Sequence, residues 1–115
     1  MADEQQKITD GTLVVRTAKD GDTQMIALCG ELDLANANTA ESALEASLAS
    51  GTEVVVDMRE LEFIDSTGIA LLVSALGKEN GGTRVRFIPS SAPAVTRVLE
   101  LTGLAERLPL ANVDA

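Results

Sequence analysis

The chain has 115 residues, 45% of them hydrophobic, enough for one core and too few for two. Two Phe and no Trp or Tyr leave the interior to Val, Ile, Leu and Ala, and make stacking on single-stranded bases nearly unavailable. Nine basic residues against eighteen acidic ones give a formal net charge of −9, which repels nucleic-acid backbones and anionic lipid headgroups. It suits a protein partner with a basic face, or simple solubility.

Residues 1–11 read as a flexible acidic and polar tail. The start Met1-Ala2-Asp3-Glu4-Gln5-Gln6 lacks the basic end and apolar core of a signal peptide. No apolar run approaches the ~20 residues that span a bilayer, so no membrane insertion and a cytoplasmic location are expected. Residues 12–17 and 23–29 read as strands joined by Ala18-Lys19-Asp20-Gly21-Asp22, where Asp-Gly is a hairpin signal. The single cysteine, Cys29, cannot form an internal disulfide, and in Met25-Ile26-Ala27-Leu28-Cys29 it reads as a buried thiol of a reducing compartment.

Gly30-Glu31-Leu32-Asp33-Leu34 leads into a helical segment in which Ala37, Ala40, Leu44 and Leu48 share one face, closed by Gly51 as a C-terminal glycine. Residues 52–58 form a third strand whose Val54-Val55-Val56 run suggests burial on both faces. A central helix is expected over residues 66–80, stopping at Gly81-Gly82, with Ile69, Leu72, Val73 and Leu76 on its apolar face. Ser66 is the natural N-cap, worth ~0.5–2 kcal/mol, with Asp65 before it and Gly68 allowing close backbone approach. Unpaired N–H groups and the positive end of the helix dipole would accommodate a phosphate on Ser66; an ordinary cap is the other reading.

Residues 83–88 alternate, Val85 and Phe87 against Arg84 and Arg86, as a strand with one solvated side does. Ser90-Ser91-Ala92-Pro93 opens a last helix with Val95, Val98 and Leu99 toward the core, ended by Gly103-Leu104, and a short strand is possible near Leu108. Strands separated by helices imply parallel neighbours with right-handed crossovers. The expected fold is a single α/β domain over residues 12–115. Its mixed, mostly parallel sheet has four to five strands packed against helices, with an N-terminal hairpin.

Several chemistries have no residues to carry them. Without histidine there is no Ser-His-Asp or Cys-His nucleophile system and no histidine metal site, and one Cys builds no thiolate zinc site. The glycines form neither a Gly-x-x-x-x-Gly-Lys-Ser/Thr loop nor a Gly-x-Gly-x-x-Gly turn, and Ser66 is outside any Gly-x-Ser-x-Gly elbow. Glu31, Asp33, Asp57, Glu62 and Asp65 are a weak basis for paired-carboxylate catalysis without aromatic sugar platforms. No enzyme activity, catalytic residue, cofactor or metal is expected.

Three segments carry a resemblance. Gly30-Glu31-Leu32-Asp33, Phe63-Ile64-Asp65-Ser66-Thr67-Gly68-Ile69 and Pro93-Ala94-Val95-Thr96-Arg97-Val98-Leu99-Glu100-Leu101-Thr102-Gly103-Leu104 occur in the order found in STAS-domain anti-sigma-factor antagonists, and the chain resembles that family over about residues 12–110. The resemblance implies partner switching. The unphosphorylated antagonist binds an anti-sigma factor that is also a serine kinase, and releases a sigma factor. Phosphorylation at the position of Ser66 ends binding, and a serine phosphatase restores it. Asp65, Thr67, Gly68 and Ile69 match the rest of the switch loop, and Asp33 matches the acidic position near it; with Ser66 they form the expected partner-binding set. A free monomer with no direct nucleic-acid contact is implied. The same domain beside transport machinery gives the alternative, an accessory subunit of a membrane lipid or anion transporter; nucleotide binding as the primary activity is the least supported.

Overall fold

The first third of the chain builds more sheet than its turn signals suggest. The computed structural model describes residues 5–77 and 83–111. Its six strands are β1 (Gln5–Asp10), β2 (Leu13–Asp20), β3 (Thr23–Leu32), β4 (Glu53–Asp57), β5 (Leu61–Ile64) and β6 (Arg84–Ile88). The helices are α1 (Ala37–Ser50), α2 (Ser66–Gly77) and α3 (Pro93–Leu101), followed by a 3-10 turn, Leu104–Glu106. The expected end of α2 at residues 80–82 lies outside the described residues.

The sheet runs β1-β2-β3-β4-β6, with β5 also paired to β3. β1, β2 and β3 form an antiparallel meander, while β4, β5 and β6 run parallel to their neighbours. The mixed sheet with an N-terminal hairpin is as expected, but it has six strands rather than four or five. Residues 5–10, assigned to the tail, are β1, in register from Gln5 opposite Ala18 to Asp10 opposite Leu13. Gly11, at φ 61°, makes the tight turn that folds this polar segment back on β2, and the Thr39 hydroxyl donates to Asp10 Oδ2 at 2.6 Å. Residues 61–64, for which the sequence predicts no element, are β5, whose four residues are too few to show a period.

β3 pairs with β4 through Ala27 and with β5 from Gly30 onward, and the register shifts between Gly30 and Glu31. Gly30 makes that shift possible. Its φ is +98°, and a Cβ there would stand 2.1 Å from the Thr12 carbonyl oxygen. Gly51 does end α1, but with extended backbone (φ −133°) rather than a left-handed cap; a Cβ there would meet Gln24 Cγ at 2.8 Å, so close approach explains the glycine.

One sheet face carries Leu13, Val15, Ile26, Leu28, Val54, Val56, Val85 and Phe87 into a single core with Ala40 and Leu44 of α1, Leu72 and Ala75 of α2, and Val95 and Leu99 of α3. The other face carries Val14, Arg16, Met25, Ala27 and Arg86, all more exposed. Val55 is nevertheless buried there, in register between Met25 and Arg86, so all three β4 valines are covered with helices on one side only.

The buried face of α2 is Gly68, Leu71, Leu72 and Ala75; Val73, expected in the core, is 44% exposed, and Ile69 and Leu76 are half-buried. Gly68 sets this rotation. A Cβ there would lie 2.5 Å from Ile64 Cγ1 and 3.0 Å from Leu32 Cδ2, so the bare backbone rests on β5 and β3 and turns the stripe toward residues 68, 72 and 75. α3 ends as its sequence predicts: Gly103 is left-handed (φ 78°) and Leu104 folds back into the core. The possible strand near Leu108 is a single bridge between Leu110 and Phe87.

Candidate functional site

Two loops meet outside the carboxyl ends of parallel strands, where open α/β sheets place their sites. β3 runs into 33–36 before α1, and β5 runs through Asp65 into α2. Asp65 joins them. Its Oδ1 accepts the N–H groups of Thr67 (2.9 Å) and Gly68 (3.1 Å), its Oδ2 accepts that of Leu34 (3.1 Å), and its own N–H donates to the Leu32 carbonyl at 3.2 Å. The Ile69 N–H donates to the Asp65 carbonyl at 2.9 Å. Asp65 is therefore the N-cap of α2, and Ser66, expected in that role, is the first helical residue. A carboxylate one residue earlier competes better for the orphan donors than a hydroxyl that points outward.

This changes the local chemistry of a phosphate on Ser66. The Thr67 and Gly68 N–H groups that would have received it are already committed to Asp65, and that of Ile69 to the Asp65 carbonyl. The helix dipole still favours a negative charge there, while the Asp65 carboxylate repels one. Ser66 is exposed, and its hydroxyl has no hydrogen-bond partner among the described residues.

The second loop is held from within. Asp33 Oδ1 accepts the Ala35 N–H at 3.0 Å, forming an Asx turn. Buried Asn36 accepts the Asp33 N–H on Oδ1 at 3.0 Å and donates from Nδ2 to the Glu31 carbonyl at 2.9 Å. Asp33 thus serves as a turn carboxylate within its own loop. The loop holds out Leu34, which is 76% exposed although expected mainly in the core. α2 contributes an exposed stripe of Ser66, Ala70, Val73 and Gly77, and no residue of α2 is charged. Val73 and Asn36 are the site residues that sequence reasoning missed, whereas Leu34 reads from sequence as mostly core but as a natural apolar contact if left exposed near Ser66. Val73 is apolar and so was assigned inward; an Asp-x-x-Asn turn was the only signal for Asn36.

The expected residues are thus brought together with unequal access. Ser66 is exposed, Asp33, Asp65, Thr67 and Ile69 are half-buried, and Gly68 is buried. The other acidic candidates have separate tasks. Asp57 accepts from the Arg59 backbone N–H and from its Nε (both 3.0 Å) and NH2 (2.8 Å). Burial pushes its pKa up, but these hydrogen bonds and the Arg59 charge prevail and hold it below the usual carboxylate value. Glu31 faces the Thr12 hydroxyl at 3.5 Å. Cys29 is buried as expected, and burial, followed by the Glu60 charge, pushes its thiol pKa up. Among the described residues no cluster of three or more His, Cys, Asp or Glu is placed to hold a metal ion, and no helix is long and apolar enough to cross a membrane.

The family model described as Mlab, STAS domain matches residues 15–111, nearly the whole of the described sheet and helices. The chain belongs to the STAS domain family. An anti-sigma-B factor antagonist of Listeria monocytogenes is 27% identical over 97 residues, 84% of this chain and 85% of that protein. The crystal structure of an anti-sigma factor antagonist from Mycobacterium paratuberculosis has a TM-score of 0.77 at 26% identity, covering 88% of this chain and 86% of that one. The Bacillus cell fate determinant SpoIIAA in its phosphorylated form shares the fold, with a TM-score of 0.59 at 20% identity over 96% of this chain and 92% of its own. In this STAS domain two segments of the resemblance, 30–33 and 63–69, lie at the loops just described, and the third, 93–104, is α3 and the start of the turn after it.

Proposed function

We propose that this STAS domain is an anti-sigma-factor antagonist, acting as a free cytoplasmic monomer. Its unphosphorylated form binds an anti-sigma factor with serine-kinase activity and releases a sigma factor; phosphorylation of Ser66 ends the complex and a serine phosphatase restores it. The observation that carries this reading is the exposed, unbonded Ser66 hydroxyl at the start of a charge-free helix capped by another residue. The kinase meets Ser66, Thr67, Ile69 and the Leu34 and Val73 side chains. Asp33, Asp65 and Gly68 act from beneath, by fixing the backbone that presents them. A face without charge is sensitive to one: each ~1.4 kcal/mol of repulsion or lost fit weakens binding tenfold. Committed donors and the nearby Asp65 carboxylate leave the phosphate to be met by the partner, which supports a switch that works at the interface rather than by unfolding.

The test is incubation of the protein with extract of its source cells and labelled ATP, with the phosphate mapped by mass spectrometry, followed by affinity capture with Ser66→Ala and Ser66→Asp as bait. Phosphate at Ser66, and a serine kinase retained by Ser66→Ala but lost by Ser66→Asp, is the expected outcome. Phosphate elsewhere with Ser66 unmodified, equal retention by both variants, or capture of a transport ATPase in place of a kinase would sink the reading.

A further inference from the structure

A groove of about 710 Å3 lies between the β1–β2 edge of the sheet and α1, and none of the switch-loop residues lines it. On a chain of net charge −9 its lining holds no acidic residue, because Glu41 and Glu45 of α1 are exposed elsewhere. Its polar groups are amides and hydroxyls, among them Asn38 and Ser42 from α1 and Gln6 and Thr17 from the strands, and Lys19 is the one charged group.

Two lining residues make this more than a crease. Gln24 is 9% exposed and Ser47 is 3% exposed, and neither side chain has a hydrogen-bond partner among the described residues. No buried side-chain nitrogen or oxygen there is both sealed from solvent and unpartnered, so the polar ends of these two meet solvent where they line the groove. Their polar ends are thus left to water on the groove wall, with donors and acceptors that a ligand can take over, where apolar groups of equal size would have closed the wall. Departures of this kind from a consistent core mark functional positions.

We propose that this groove binds a small hydroxyl-rich carboxylate of the sugar-acid class. Amides and hydroxyls both donate and accept, as vicinal hydroxyls require. Lys19, the cross-strand register partner of Gln24, supplies the cation for the carboxylate beside them. The absence of aromatic residues from the lining leaves recognition to hydrogen bonds, with Ile8 and Ala46 as the apolar wall.

Titration of the 15N-labelled full chain, followed by amide NMR shifts, separates the parts of this proposal with three probes: gluconate, sorbitol and acetate. Gluconate is expected to move amides of Thr17, Gln24, Ser42 and Ser47 together, sorbitol to move the same set at higher concentration, and acetate to leave them in place. Gln24→Met and Ser47→Ala are each expected to weaken gluconate about fivefold to tenfold, the loss of one neutral hydrogen bond, with a dispersed spectrum retained. Lys19→Met, on the exposed rim, is expected to erase the preference for gluconate over sorbitol. No gluconate response in the groove, an equal response to acetate, sorbitol binding equal to gluconate, or gluconate binding unchanged in both core variants overturns the proposal.

Discussion

Ser66 and Ser90 stand at the entrances to α2 and α3. Ser90 is 4% exposed; its hydroxyl donates to the Leu61 carbonyl at 2.7 Å and accepts the Ala92 N–H at 2.9 Å, tying the exit of β6 to the start of β5. Ser66 is exposed, unbonded and already at the first helical position, because Asp65 has taken the capping work. One hydroxyl is part of the scaffold and the other is spare. What separates a spare serine from a structural one here is which neighbour has claimed the backbone donors, and that is settled by the loops from β3 and β5 meeting.

The sharpest way to break this contrast is Ser90→Ala, which strands a buried carbonyl and a half-buried N–H. It is expected to cost about 1–3 kcal/mol in urea unfolding. A neutral result would mean that water replaces the hydroxyl and that Ser90 is no more structural than Ser66. Next in size is Asp65→Ala, which removes the acceptor of the Thr67, Gly68 and Leu34 N–H groups and is expected to cost about 1–2 kcal/mol. Hydrogen exchange is expected to speed up at those three amides ahead of the rest. Uniform acceleration across the domain would show that Asp65 supports global stability rather than the switch loop.

β4, β6 and the three helices were legible because they rest on periods: a β-branched run for β4, alternation for β6, and apolar stripes on the helices. β1 was not, because Gln5–Asp10 carries a single large apolar residue, Ile8, and pairs for want of any other neighbour at the edge of β2. At the site, residue identities could be read, since Asp65-Ser66-Thr67-Gly68 are the capping and close-approach types. Their division of labour could not. A carboxylate and a hydroxyl side by side are both good caps, and only the register of β5 against β3 brings Leu34 within reach of Asp65 and lets one side chain serve both loops. The exposure of Leu34 and Val73 was hidden for the same reason, because hydrophobicity reports a preference for burial and not whether a neighbouring element arrives to provide it.

The smallest expected effect bears most on the switch. With no bond to lose, Ser66→Ala is expected to change stability by no more than about 0.5 kcal/mol, well below the cap value that its sequence position suggests. Ser66→Asp adds a negative charge at the first turn of α2, where the dipole favours it by about 0.3–1 kcal/mol and the Asp65 carboxylate opposes it. These terms offset each other, so both variants are expected to melt close to the unmodified protein. Equal melting points combined with unequal affinity for the serine-kinase partner would place the whole consequence of the charge at the interface. A large loss of stability in Ser66→Asp alone would instead show that the charge acts by opening the α2 entrance, and Ser66 would then be as structural as Ser90.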